Sequence, residues 1–288
     1  MRGIYRSATG HDRLRGWCED QLSRWSVVHD RATVATSLGE THLLSAGAGR
    51  TIVVYFPGTN FNAATSLSLL GELASRSRVM AVDLPGQPGL SAPGRPTDEG
   101  LESYGRWAGE VLDVARQEPA VDKVILAGHS MGAAVALSAP PKAADAVVLL
   151  SPAGLVKVRL SMAVLRTALP WMMRPSPARA RALLAQMTGP ETSPSANHIN
   201  WLTMVAAETR TSGAPGPLPD AVTRHWREVP RLVLTGEHDC FFPPARLATA
   251  ARTRLETEVV VLDRLGHLTV DEDPIVVAER VVALAHSA

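Results

Sequence analysis

The chain has 288 residues, 45% of them hydrophobic and 20% charged, with a formal net charge of +1. Such a composition supports a large buried core, and the near-neutral balance offers no electrostatic reason to expect nucleic acid or a membrane as partner. Its two cysteines, Cys18 and Cys240, stand far apart, which argues against a disulfide framework and against a cysteine-spaced metal site. The first residues lack the apolar run of a signal peptide, and no apolar segment reaches the roughly 18 residues of a membrane span. The expectation is a soluble, cytoplasmic protein.

In chain order, residues 1–24 read as a helix anchored by Leu14, Trp17 and Leu22. Trp25 to His29 and Arg31 to Ser37 read as strand, and Thr41 to Ala46 as its antiparallel partner. Thr51 to Phe56 is a continuous β-branched and apolar run, the pattern of a strand covered on both faces. A loop, Pro57-Gly-Thr-Asn60, follows, with a helix starting near Ala63. Arg78 to Val82 is the next strand, and Asp83 is expected to order the Gly- and Pro-rich loop behind it through its carboxylate. Residues 98–118 carry Leu101, Tyr104, Trp107, Val111 and Leu112 near helical spacing. Val121 to Ala127 and Asp145 to Leu150 read as strands.

Between those two strands lies the stretch with the clearest chemistry. A buried strand runs into Gly128-His-Ser-Met-Gly132, and an alanine-rich helix follows. This is a G-x-S-x-G turn in the strand–turn–helix setting that presents a nucleophile. Ser130 has to sit on a strained tip so that its hydroxyl clears the sheet, and side chains at 128 or 132 would collide with neighbouring elements. A serine so presented needs two oxyanion donors. The amide of the next residue, Met131, is one, and the amide of Thr59 in the loop after the third strand is the best candidate for the other.

From Leu155 to about Val229 the alternation of strand and helix stops. Three helical pieces are expected, Val156 to Met173, Pro177 to Met187 and Asn197 to Arg210, broken by Pro and Gly. The alternation resumes with strand Arg231 to Gly236, helix Pro244 to Glu256, strand Val259 to Leu262 and helix Pro274 to Ala285. The expected divisions are therefore a core of 1–153 and 230–288 with a helical insertion of 154–229. Within that insertion, Lys157, Arg159, Arg166, Arg174, Arg179 and Arg181 form a basic run without a single acidic residue. It is either a solvated face with acidic partners on the core or a contact for an anionic substrate group.

The Phe-Pro-Gly-Thr loop, Asp83-Leu-Pro-Gly-x-x-Gly-x-Ser91, Gly-His-Ser-Met-Gly132, Gly236-x-x-Asp239 and Gly266-His267 together resemble the α/β-hydrolase superfamily, over essentially the whole chain. Two positions depart from its pattern: Pro57, where many members carry His, and Gln87-Pro88, where Gly-His or a similar pair is common. The resemblance implies an α/β fold with a mostly parallel sheet of about eight strands flanked by helices, and an inserted helical lid. It also implies the order serine, acid, histidine. His267, on a glycine after the last strand, is then the base. Glu237 and Asp239 both follow the preceding strand, and the family spacing selects Asp239 as the acid.

The implied function is a serine hydrolase, in particular a lidded esterase. It would cleave a carboxylic ester or thioester of a small, largely apolar substrate through an acyl-enzyme. The same residues permit C–C bond hydrolysis, lactonase, amidase or acyltransferase chemistry. From another class, a non-catalytic ligand-binding receptor that keeps the fold is the competing reading. Asn60, His129, Leu160 and Trp171 are the expected substrate contacts. No metal, cofactor, nucleic acid or membrane partner is expected; oligomeric state is left open.

Overall fold

A computed structural model of the chain describes residues 2–96, 100–211, 213 and 215–287. Eight strands form one sheet: β1 (His29–Thr36), β2 (Gly39–Ala46), β3 (Thr51–Phe56), β4 (Arg78–Val82), β5 (Lys123–His129), β6 (Ala146–Leu150), β7 (Arg231–Gly236) and β8 (Val259–Leu262). Their spatial order is β1-β2-β4-β3-β5-β6-β7-β8. Only β2 runs against the rest, pairing antiparallel with both β1 and β4. This is the α/β-hydrolase fold, with the mostly parallel sheet of about eight strands that the sequence implies.

Helices cover both faces. Outside the region between β6 and β7 they are α1 (Ala8–Ser23), α2 (Leu67–Ala74), α3 (Leu101–Arg116) and α4 (Met131–Ser138). Beyond β7 come α9 (Pro244–Leu255), α10 (Thr269–Glu272) and α11 (Pro274–Ser287). Between β6 and β7 stand α5 (Met162–Met173), α6 (Pro177–Met187), α7 (Ala196–Glu208) and α8 (Asp220–Arg224). The central strands β3, β5 and β6 are buried along almost their whole length, which is why they read as unbroken apolar runs. Among the described residues, no helix is long and apolar enough to cross a membrane.

Several elements differ from the expectation. Trp25 to Val28 are not strand; β1 starts at His29. The helix expected from Val156 starts only at Met162, because Ser161 caps it by accepting from the amide of Val164. Ahead of that cap the chain is irregular and is tied to the core by the Arg159 amide donating to the Phe241 carbonyl. The helix expected over 98–118 spans Leu101–Arg116, and residues 98 and 99 lie outside the described residues. The short α8 and α10 were not foreseen, since four or five residues carry no readable period.

Sheet topology positions the site. Strands β4 and β5 lie on opposite sides of β3, so the strand order reverses there, and parallel sheets open a crevice beyond the carboxyl ends at such a point. Phe56 pairs with Gly128 in register. The residues that follow, Pro57-Gly-Thr59 on one strand and His129-Ser-Met131 on the other, therefore emerge side by side. Asp83 orders the neighbouring loop as expected, accepting from the amides of Ala63 and Leu90, each at 2.8 Å.

Candidate active site

Ser130 sits at φ 51°, ψ −113°, a conformation that costs a non-glycine residue on the order of 1–3 kcal/mol. The turn is held from both sides: the Ser130 amide donates to the Leu150 carbonyl, and the Ala153 amide donates to the Ser130 carbonyl. The steric reading of the flanking glycines is quantitative. A Cβ on Gly128 would lie 2.4 Å from the Gly132 carbonyl oxygen, and one on Gly132 would lie 2.0 Å from that of Phe56. Neither neighbour is a side chain that could swing away, so no other residue fits.

Beyond β3, Gly58 packs against the elbow; a Cβ there would approach His129 Nδ1 at 3.0 Å and Ser130 Cβ at 3.3 Å. Among the described residues, neither the Thr59 nor the Met131 amide has a protein acceptor. The Asn60 amide, in contrast, donates to Gln87 Oε1 at 2.9 Å, and the Asn60 carbonyl accepts from Trp201 Nε1 at 2.7 Å. Asn60 itself takes φ +66°. The loop is thus clamped on either side of a peptide whose preceding amide stays free. Gln87, a departure from the family pattern in the sequence, is one jaw of that clamp.

His267 and Asp239 meet across the ends of β7 and β8. His267 Nδ1 lies 3.0 Å from Asp239 Oδ2, while Asp239 Oδ1 accepts from the amides of Phe241 and Phe242. Burial alone would raise the Asp239 pKa, but the charge and hydrogen bond of His267, with the two amides, outweigh it and hold the carboxyl well below the usual carboxylate range. The structure brings Asp239 to His267, and Glu237 elsewhere: the Glu237 carboxylate accepts from the Arg264 amide on the surface. Ser130 and His267 line one cavity. Among the described residues their side chains share no hydrogen bond; the His267 ring is positioned by its bond to Asp239.

His129 has a different position from a simple substrate contact. It lines the cavity, but its Nε2 is 2.9 Å from the His267 carbonyl, which can only accept, so Nε2 carries the proton. Burial, then repulsion from His267, push its pKa down from 6.5 to about 3, and the ring stays neutral. Across that interval the folded chain binds fewer protons at His129 than the unfolded chain. The resulting stability is fully present above about pH 6.5 and is lost as pH falls toward 3. Asp271, pushed up to about 6 by burial, contributes the opposite slope, so the test is a difference. Calorimetric Tm values between about pH 7 and pH 4 should fall less steeply in His129→Gln than in the wild type. Equal slopes would mean that this ring does not govern the acid response.

The cavity measures about 200 Å³. Gly58, Thr59, Asn60 and Ser130 form one wall, and Leu160, Val164, Ala168 and Trp171 another. All four expected substrate contacts, Asn60, His129, Leu160 and Trp171, thus border it. Met162, Leu169, Met172 and Met173 of the same stretch do not line it and are exposed. None of the six basic side chains of the 157–181 run reaches the cavity, and among the described residues none has an acidic partner. The run is thus largely a solvated face, but without the acidic partners on the core that the sequence reading gave it.

Sequence reasoning missed the supports of the histidine loop. The Met187 carbonyl accepts from the amides of His267 and Leu268. Glu272 bridges the amides of Gly189 and Gly266, at 2.6 and 2.9 Å. The helical segment between β6 and β7 is in this way fastened to the residue pair that carries His267. A carboxylate five residues after a histidine has no signature of its own; only the fold shows what it holds.

The family model described as the alpha/beta hydrolase family matches residues 43–280, and the chain belongs to that family. No curated protein sequence matches it significantly. Three solved structures from Bacillus subtilis superpose over nearly the whole chain. One, described as a hydrolase, has 22% identity and a TM-score of 0.83, covering 97% of this chain and 100% of its own. The naproxen esterase (carboxylesterase NP) has 21% identity and a TM-score of 0.80, covering 97% and 99%. Carboxylesterase CesB has 18% identity and a TM-score of 0.79, covering 98% and 100%. At such identities the likeness is one of fold.

Proposed function

We propose that this hydrolase is a serine enzyme that cleaves a carboxylic ester or thioester of a small, largely apolar substrate through an acyl-enzyme. The observation that carries the reading is the convergence on one cavity of Ser130, on its strained turn, with His267, whose other ring nitrogen is bound to a buried carboxylate. Ser130 Oγ attacks the carbonyl carbon while its proton passes to His267 Nε2. Asp239 orients the ring and stabilises the imidazolium. The free amides of Thr59 and Met131 receive the oxyanion. Collapse breaks the bond to the leaving group, which departs with the proton from His267. Water then attacks the acyl carbon, giving its proton to His267, and the acid is released as Ser130 regains its hydrogen.

In this reading residues 154–229 act as a lid over a core of 1–153 and 230–288, and Asn60, His129, Leu160 and Trp171 bound the substrate. The two free cysteines suit a cytoplasmic setting. The size of the cavity suggests the substrate: an apolar cavity of about 150 Å³ holds benzene, so one of about 200 Å³ takes a short acyl or single aryl group. Across nitrophenyl esters, kcat/KM should be highest for acetate to butyrate. It should fall by on the order of a hundredfold for dodecanoate, whose chain has to displace packed lid residues. A maximum at the long-chain esters would overturn the small-substrate reading, and no turnover of any ester would overturn the esterase.

A further inference from the structure

Helix α5 presents apolar residues on two opposite faces, and only one of them is covered. Val164, Ala168 and Trp171, spaced by four and three residues, line the cavity. Met162, Leu169 and Met173, with Arg166 among them, follow the same spacing about half a turn away and are exposed; Met173 keeps 77% of its surface in water. Met172 extends this outer patch, and Leu160, just ahead of the helix, borders the cavity while keeping 60% of its surface in water. Among the described residues, five of the eight exposed large hydrophobic side chains of the chain fall within 160–173. A helix apolar on all sides is normally buried, so the outer stripe calls for a cover.

The charges around it say what the cover is. Lys157 and Arg159 precede the stripe, Arg166 lies in it, Arg174 ends it and Arg181 stands on α6; all five are exposed. None has an acidic partner among the described residues, and no Asp or Glu occurs between Asp145 and Glu191 to offset them. A second copy of the chain, meeting this patch with its own, would oppose five positive charges to five. An exposed row of Met and Leu side chains ringed by long basic ones is instead the form that enters the headgroup zone of a bilayer, with the bases reaching the phosphates.

We propose that the outer face of α5 docks on an anionic lipid surface, so that the wall of the cavity is the element in contact with the membrane. The near-zero net charge conceals this surface, because the acids that offset these bases lie elsewhere on the molecule. Docking is independent of the hydrolase chemistry, and its test reads binding alone.

The whole protein is floated with vesicles of phosphatidylcholine alone and with vesicles containing one third phosphatidylglycerol. It should partition onto the anionic vesicles and not the neutral ones, and added salt should release it. Arg166→Gln with Arg174→Gln should weaken partition by roughly thirty-fold, about fivefold for each charge removed. Met162→Ser, Leu169→Ser and Met173→Ser together should weaken it by about tenfold or more, with an unchanged Tm because these side chains are exposed. Absence of binding at low salt, equal binding to both vesicles, or a dimer in sedimentation equilibrium that the triple variant dissolves would each overturn the proposal.

Discussion

Ser130→Ala is expected to abolish covalent labelling by a fluorophosphonate and to lower ester turnover by on the order of a millionfold. Nothing else should change. Alanine keeps the Cβ that the turn already accommodates at φ 51°, and the hydrogen bonds that hold the turn run through backbone atoms alone. The variant should therefore unfold at the wild-type Tm while losing the hydroxyl proposed to form the acyl bond. Mass spectrometry of the probe-labelled protein is the direct measurement. A label that persists in Ser130→Ala would place the nucleophile elsewhere and remove the basis of the esterase reading.

Asp239→Asn should cost about 10⁴ in turnover, since an amide in place of the carboxylate favours the wrong histidine tautomer. Glu237→Gln should stay within about tenfold of wild type, because that side chain is half exposed and its carboxylate serves the Arg264 amide. The pair is informative because both carboxylates stand within three residues of Gly236, yet only one faces His267. Asp239→Asn also retains an oxygen for the amides of Phe241 and Phe242, so its Tm should fall little. A crippled Glu237→Gln beside an active Asp239→Asn would move the acid to Glu237.

The elbow was legible in the sequence because its causes are local. Gly128, Ser130 and Gly132 are spaced by the geometry of one turn, and the strand and helix on either side carry their own periods. The same holds for β3, β4, β7 and β8, whose ends agree with the apolar runs that define them. The choice of Asp239 over Glu237 needed the family spacing, since composition alone left both open.

What only the tertiary structure decided are relations between residues far apart in the chain. Gln87 grips Asn60, Trp201 grips it from the other side, and Glu272 reaches Gly189; these bonds join residues 27, 141 and 83 positions apart, beyond any local window of sequence. The apolar residues of α5 are the clearest case. The sequence determined that Met162 to Met173 would be an apolar stretch on a helix, because side-chain chemistry and spacing are local properties. Which of those side chains would meet the cavity and which would meet water depended on the side from which the rest of the fold approaches that helix.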